Sequence, residues 1–323
     1  MAKNPNERVY SDVRELLRKI EFTSFDVGVT FADLGQKQAL RQGLCDFIES
    51  EFGAKKSREP DVHVFADFDR GRARIEICSA YVFGKYNKYS RSIAQTFHFC
   101  FKCKGRGCPN CEMTGKLSEE SVQELLEKVM VPLFDARSAK FHGCGREDVD
   151  VLMLGSGRPF VLELVEPKKR SVGLLVLEKE VNSLYKEKIS VHGLEFCHKA
   201  RVAELKTFAF EKIYGATCSS KNKFDKKLLL ALVGKRIDTF QTTPERVEKR
   251  RAKKERIKWF EIQKAQVLSP NSFRLEILSS HGLYIKELIS GDSERTNPSI
   301  SSLLGALCEC DLLDVLDVSQ HKI

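Results

Sequence analysis

The chain has 323 residues, with 54 Lys or Arg against 45 Asp or Glu, so its formal net charge is +9. A hydrophobic content of 42% is enough to form real cores, which excludes wholesale disorder and predicts about two domains. The longest apolar run, at 228–233, is far shorter than the roughly 20 residues of a membrane-spanning helix, so no membrane association is expected.

The N-terminus and the cysteine content bear on the cellular compartment. The first ten residues lack the apolar segment of a secretory signal, so we expect a cytoplasmic protein, or one that also enters the nucleus. In such a reducing compartment the eleven cysteines are not expected to form a disulfide framework.

Elements of a small α+β domain are predicted in the first 99 residues. Apolar residues recur at helical spacing over 7–19 and 40–52, which predicts two helices. Strands are predicted at 62–68 and 73–86, on either side of a turn. These elements are expected to form the first part of an N-terminal domain.

A cysteine cluster follows, in which two Cys-x-x-Cys pairs are separated by four residues. Its members are Cys100, Cys103, Cys108 and Cys111. Two such pairs can surround one metal with a tetrahedron of thiolates, and four thiolates leave no open coordination position. The spacing therefore predicts one structural zinc, with an iron–sulfur cluster and a redox dithiol as alternatives. Arg106 and the neighbouring lysines make this segment cationic, which favours an additional contact with nucleic acid.

The pattern changes after a helix that is predicted over 118–130 and capped by Ser118. Many strands and few helices, in irregular alternation, predict an α+β fold with a mostly antiparallel mixed sheet. The predicted strands lie at 139–142, 160–165, 194–200, 210–218, 257–268 and 273–279. The predicted helices lie at 172–185, 226–233 and 282–289.

Basic residues cluster three times in the second half of the chain, at 168–170, 221–227 and 245–258. A solvated helix face explains any one such cluster equally well. Three of them together favour a surface that binds nucleic acid.

Two glycine-rich turns, GREDVD at 145–150 and GSGRP at 155–159, enclose a concentration of charge. Glycines suit a backbone that turns tightly beside a ligand. A carboxylate in such a loop can be a metal ligand, a general base or a nucleophile. A surface turn held by salt bridges would explain the same composition.

The GRED sequence resembles the G-R-x-D motif of pseudouridine synthases, whose aspartate is catalytic. The longer string GREDVD…LGSGRPFVLE is similar to the archaeal and eukaryotic tRNA synthase family known as Pus ten. Upstream, CKGRGCPNCEMTGK resembles the zinc-bearing accessory domain of that family, which is associated with a THUMP-like RNA-binding fold. Further segments match in order, namely KIYGATC at 212–218, TTPERV at 242–247, KRR at 249–251, SHGLYIKELISGD at 280–292 and TNPSISSLLG at 296–305.

The resemblance implies an isomerase that converts uridine to pseudouridine at position 54 and/or 55 in the TΨC arm of tRNA. It implies a catalytic domain of the pseudouridine synthase type at 136–323 and a smaller zinc-containing accessory RNA-binding domain at 1–135. It implies no catalytic cofactor, one structural zinc, tRNA as the partner, and neither a membrane nor an obligate protein partner.

The resemblance also assigns roles to single residues. Asp148 is the catalytic carboxylate, acting either as the nucleophile or as the base that removes the 2′ proton. Lys286 is its basic partner. Tyr214 stacks on the flipped target base, and Tyr284 lines the same pocket.

Three further residues lie in or near the matched motifs. Arg146 is expected to position a substrate phosphate or to hold the loop, and Leu288 is expected to pack against the base. Asp150 lies after the position of the motif aspartate, so it is not expected to be catalytic.

Two other classes of function compete with this hypothesis. A non-catalytic RNA-binding protein that retains the fold would have no need of a carboxylate facing a lysine in a pocket. An enzyme that uses zinc at the cysteine cluster is disfavoured, because four thiolates leave the metal no open site.

Overall fold

A computed structural model of the chain describes residues 4–207, 209–250 and 252–318, and no side chain at 249 or 250. Arg251, the last residue of the matched KRR segment, lies outside the described residues. Two hydrophobic cores form, each packed against its own β-sheet, and the four cysteines form a third, small cluster.

The first core belongs to a four-stranded sheet flanked by two helices. In chain order its elements are α1 (Pro5–Leu17), β1 (Ser24–Thr30), α2 (Leu34–Phe52), β2 (Lys55–Lys56), β3 (Val62–Asp67) and β4 (Arg72–Ile77). The strand order is β2-β1-β3-β4, with β1 parallel to both neighbours and β4 antiparallel to β3. Val13 of α1 and Ile48 of α2 are fully buried, as the predicted helical spacing requires.

The second core lies against a ten-stranded sheet. Its strands are β5 (Ala80–Lys88), β6 (Ser138–Gly143), β7 (Leu152–Val165), β8 (Ile189–Cys197), β9 (Lys212–Ser220), β10 (Arg236–Thr242), β11 (Glu255–Ser269), β12 (Ser272–Ser279), β13 (Thr296–Asn297) and β14 (Cys308–Val318). The order is β13-β10-β11-β12-β9-β14-β7-β5-β8, and β6 also pairs with β7. Of the pairings in the described part of this sheet, β14 with β7 is parallel and the others are antiparallel.

Helices and two 3₁₀ turns complete this unit. The helices are α3 (Val122–Leu133), α4 (Leu174–Leu184), α5 (Ala200–Thr207), α6 (Lys226–Ala231), α7 (Ile285–Ser290) and α8 (Ile300–Leu304). The 3₁₀ turns lie at Pro109–Cys111 and Glu245–Arg250. The predicted α+β class with a mostly antiparallel mixed sheet is therefore confirmed. Within the described residues, no helix has both the length and the apolar character needed to cross a bilayer.

Several sequence predictions differ from the structure in detail. The single strand predicted at 73–86 is two strands, β4 and β5, which belong to different sheets. The predicted cap of α3 was Ser118, but the helix begins later, and Ser121 accepts a hydrogen bond from the backbone N–H of Glu124. The predicted domain boundary at 135/136 lies inside the second unit, because β5 pairs with β7 and β8 and Leu125 of α3 packs in the same core. By packing, the division falls between β4 and β5, and the RNA-binding role of 1–135 stays a prediction.

The two units are joined by a polar contact. The backbone N–H groups of Arg170 and Ser171 donate to Glu21, at 2.6 Å and 2.8 Å, and lower the pKa of that carboxyl to about 2. The Arg170 guanidinium lies 3.1 Å from Asp61. Burial opposes ionisation of Asp61, but hydrogen bonds from Thr23 and the charge of Arg170 keep its pKa lowered.

Candidate active site

The GRED segment forms the loop between the antiparallel strands β6 and β7. Gly145 has a φ of 73°, a left-handed conformation that glycine adopts without strain. A Cβ atom at this position would lie 3.2 Å from both Arg158 Nη1 and Lys212 Nζ. Glycine thus lets the loop pass directly over two buried cations.

A buried ion pair anchors this loop. Arg158 Nε lies 2.8 Å from Glu147 Oε2, and each side chain is only 1% exposed. Arg158 also donates from Nη1 to the carbonyl oxygen of Cys144 at 2.7 Å. Burial disfavours the guanidinium, but the charge of Glu147 outweighs it and raises the pKa of Arg158. Arg158 therefore holds the loop at two points, the backbone carbonyl of Cys144 and the side chain of Glu147, which directly precedes Asp148.

Two neutral side chains also hold the GRED loop. They are Tyr86 on strand β5 and Gln95 in the segment between β5 and the cysteine cluster. The Tyr86 hydroxyl donates to Glu147 Oε1 at 2.7 Å. Gln95 Nε2 donates to the Tyr86 oxygen at 2.8 Å and to the carbonyl of Gly145 at 3.0 Å. Burial, reinforced by the charge of Glu147, raises the pKa of Tyr86, so the phenol remains a donor.

A buried lysine fixes the loop on the other side of Asp148. Lys88 Nζ donates to the carbonyl of Val149 at 2.6 Å and to that of Ile93 at 2.8 Å. Burial lowers the pKa of Lys88 to about 8. The backbone on both sides of Asp148 is thus held by side chains in the interior.

The Asp148 side chain itself is 43% exposed and faces two cations. Arg246 Nη1 lies 3.1 Å from Asp148 Oδ2, and Lys286 Nζ lies 3.8 Å from the same oxygen. Lys286 is closer to Asp150, to which it donates at 2.8 Å. The structure therefore brings the predicted partner Lys286 to Asp148, but it places Arg246 nearer.

Arg246 lies in the matched TTPERV segment and in the basic cluster at 245–258, for which the sequence predicted a nucleic-acid contact but no pairing with Asp148. Its Nε donates to Glu287 Oε1 at 2.6 Å, while its Nη1 reaches Asp148. Burial acts against the charged form, but the hydrogen bond and charge of Glu287 raise the pKa of Arg246. The pairing joins the 3₁₀ turn, helix α7 and the GRED loop, and local spacing gives no signal for a contact of this kind.

These groups line a cavity of about 730 Å³. Asp148, Tyr214, Tyr284, Lys286 and Arg146, all predicted site residues, are in its wall. Leu288, which was expected to contact the base, is instead fully buried in the hydrophobic core.

The surroundings keep Tyr214 neutral and hold the backbone of Tyr284. Burial raises the pKa of Tyr214 and keeps its phenol neutral. The side-chain amide of Gln241 accepts from the backbone N–H of Tyr284 at 2.8 Å and donates to its carbonyl at 3.0 Å. The guanidinium of Arg256 lies over the Tyr284 ring, 6.0 Å from its centroid.

The cavity wall carries more positive than negative side chains. Its carboxylates are Glu147 and Asp148. Its cations are Arg146, Arg158, Arg246, Lys254, Arg256 and Lys286. A polyanion that inserts one neutral planar group into the cavity could pair its negative charges with these cations and stack the planar group on a tyrosine ring.

The four predicted metal ligands come together as the spacing indicated. All four sulfur atoms lie within 4.8 Å of one another. The Cys100–Cys108 and Cys103–Cys111 sulfurs are each 3.8 Å apart. Thiolates placed about 2.3 Å from a central zinc in a tetrahedron are separated by roughly 3.8 Å, so the cluster fits that ion. The backbone N–H of Gly115 donates to Cys111 Sγ at 3.2 Å.

Comparison with known proteins defines the family. The family model described as "Pus10, C-terminal" matches residues 81–319. A protein of Archaeoglobus fulgidus named tRNA pseudouridine synthase Pus10 is 36% identical over 98% of this chain and 93% of its own length. Proteins of the same name from Korarchaeum cryptofilum and Methanosphaera stadtmanae are 40% and 43% identical, over 84% and 87% of this chain and 74% and 73% of their own lengths. The chain belongs to the Pus10 family.

Among solved structures, a Cbf5–Nop10–Gar1 complex is 13% identical and covers 73% of this chain and 58% of the matched chain. Its TM-score is 0.31, which is too low to support a shared fold by itself.

Proposed function

We propose that this protein isomerises uridine to pseudouridine at position 54 and/or 55 in the TΨC arm of tRNA. Its relatives are named tRNA pseudouridine synthases, which are isomerases. The observation that carries the proposal is the half-exposed carboxylate of Asp148, which faces a cavity lined by two tyrosines and several cations.

In the proposed reaction the N1–C1′ bond of the uridine breaks, the uracil turns, and a C5–C1′ bond forms. C5 loses a proton and N1 gains one, so no atom is added or removed overall. Asp148 either attacks C1′ or takes the 2′ proton, and both roles require the carboxylate anion. Arg246 at 3.1 Å and Lys286 at 3.8 Å place two positive charges beside it.

The rest of the cavity holds the flipped nucleotide. Stacking of the uracil on an aromatic ring such as Tyr214 recovers roughly 1–3 kcal/mol of the stacking lost from the RNA. Tyr284 forms a second part of the wall, and its backbone is fixed by Gln241. Arg146 is exposed at the cavity, where it can pair with a phosphate of the flipped nucleotide.

The cysteine cluster serves the fold in this proposal. Cys100, Cys103, Cys108 and Cys111 would hold one zinc ion, which supplies structural stability and no catalytic position because its four ligands are protein thiolates. The segment that carries them belongs to the part of the chain, 1–135, that we expect to grip the tRNA.

The test uses purified protein and an unmodified tRNA transcript, with the product mapped at nucleotide resolution. Asp148→Asn should abolish pseudouridine formation while leaving tRNA binding within a few-fold of wild type. Asp150→Asn is the matched control, because Asp150 has the same side chain in the same loop and should not be required. Wild-type activity in Asp148→Asn would rule out this carboxylate. Tight tRNA binding by the wild type without product would favour the non-catalytic RNA-binding alternative.

A further inference from the structure

The segment around the four cysteines presents large apolar side chains to solvent. Phe99 and Phe101 are 62% and 63% exposed. The Phe99 ring lies so close to Gly105 that a Cβ there would be 2.6 Å from Phe99 Cδ1. Phe97 packs edge-on against the same ring, with the centroids 4.6 Å apart. Phe99 is therefore fixed by its neighbours while most of its surface remains available.

The same segment is strongly cationic. Residues 99–116 include four Lys or Arg and one carboxylate, Glu112. Lys102, Lys104 and Arg106 are exposed, and no carboxylate of the described chain lies within ion-pairing distance of them. The fourth cation, Lys116, pairs with Glu124. We use the name knuckle face for the surface formed by Phe99, Phe101, Lys102, Lys104 and Arg106.

Chain connectivity limits how far the knuckle face can begin from the candidate active site. Gln95 Nε2 donates a hydrogen bond to Glu147 Oε2 at 3.2 Å, and Glu147 directly precedes Asp148 in the sequence. Phe99 is only four residues further along the chain, so its Cα lies at most about 14 Å from that of Gln95. An RNA loop that offers one base to the cavity therefore has further nucleotides within reach of the knuckle face.

Exposed rings combined with cations that have no carboxylate partner match one kind of occupant. Single-stranded RNA offers planar bases that stack on aromatic side chains and phosphates that pair with Lys and Arg. An apolar protein surface would leave the three cations without anionic partners, and a folded duplex would not offer its bases to the rings.

We propose that the knuckle face binds unpaired nucleotides of the same RNA loop whose uridine enters the cavity. The bases stack on Phe99 and Phe101, and the phosphates pair with Lys102, Lys104 and Arg106. This inference rests on the proposed function, because the bound RNA is the substrate of the Asp148 cavity. It adds a second contact that fixes which nucleotide of the loop reaches Asp148.

The test measures affinity for an unmodified tRNA transcript by fluorescence anisotropy, with the full-length, zinc-containing protein. Phe101→Leu keeps an apolar side chain and removes the ring, so binding should weaken at least about fivefold, the low end for the loss of one stacked base. Phe101→Trp keeps a ring and should bind within twofold of wild type. Leu175→Ala, at a position on α4 that is 75% exposed, is the control for loss of exposed apolar surface and should have no effect.

The contribution of the three cations of the knuckle face is tested separately, by the salt dependence of RNA affinity. Lys102→Ala should reduce the slope of log affinity against log salt by about 0.7, the value for one phosphate contact on a single strand. Zinc content and the unfolding midpoint of each variant report whether the segment has remained folded. If Phe101→Leu loses its zinc, the salt dependence of RNA affinity in Lys102→Ala decides whether the knuckle face contacts RNA.

The inference is overturned if a correctly folded variant that combines Phe99→Leu and Phe101→Leu binds as tightly as wild type while wild type still forms pseudouridine. Absence of product from wild type, with weakened binding in the same double variant, instead overturns the proposed reaction and leaves the RNA contact standing.

Discussion

The ion pair between Arg158 and Glu147 offers a quantitative test of how the GRED loop is held. Both side chains are 1% exposed and lie 2.8 Å apart. Arg158→Met would leave Glu147 as an uncompensated buried charge, which costs about 3–5 kcal/mol of the free energy of unfolding. The Glu147 side chain would keep its hydrogen bond from Tyr86, but this neutral donor does not balance the charge.

The variant Glu147→Gln separates charge from packing. Added to Arg158→Met, it removes the stranded charge, so the double variant should regain about 2 kcal/mol relative to Arg158→Met alone. Denaturant unfolding at neutral pH, followed by far-UV circular dichroism, measures both differences. A loss below about 1 kcal/mol for Arg158→Met, or a further loss in the double variant, would refute an anchoring role for the pair.

Three further predictions follow from the site. Arg246→Met removes the nearest cation from Asp148 and leaves the buried Glu287 unpaired, so single-turnover pseudouridine formation should fall at least about tenfold, and unchanged turnover would contradict its role. Burial lowers the pKa of Lys212 to about 8. Because the unfolded chain then binds the proton more tightly, the stability of wild type should rise relative to that of Lys212→Met between about pH 8 and 10.5, by on the order of 3 kcal/mol. Parallel stability profiles in denaturant titrations would disprove this. Elemental analysis should find one zinc per chain, and Cys108→Ser should lower that content and the unfolding midpoint; a metal-free wild type would exclude the zinc site.

Elements with a regular apolar period were the ones that the sequence predicted. Helix α1 places Val9, Val13 and Leu17 on one buried face, and this spacing is visible without any tertiary information. Strand β10 was missed because its buried face carries Thr239 and Gln241, which are 0% and 1% exposed. These polar side chains are buried because they find partners in distant segments, Pro298 and Tyr284, so no local hydrophobic pattern marks the strand.

The residues of the candidate site also fall into those that sequence motifs indicated and those that only the structure located. The GRED loop, both tyrosines and Lys286 could be proposed from motifs, and the structure brings them to one cavity. The sequence predicted a nucleic-acid contact for the basic cluster that contains Arg246, but not its pairing with Asp148, since a charged residue in a basic run is indistinguishable from its solvated neighbours until its partners are known. Leu288 was placed at the base by its position in a motif, but its side chain points into the core.

The sequence alone determined the cysteine cluster, because two metal ligands with only two residues between them can close around one ion wherever the segment folds. It also determined the α+β class, since helix and strand periods are local properties of the chain. Only the tertiary structure decided how the GRED loop is anchored and which charges lie beside it. The Tyr86–Glu147 contact joins residues 61 apart, and the Lys286–Asp150 contact joins residues 136 apart. Such contacts depend on the packing of whole sheets and helices, and the energy of an ion pair depends on the burial that this packing creates.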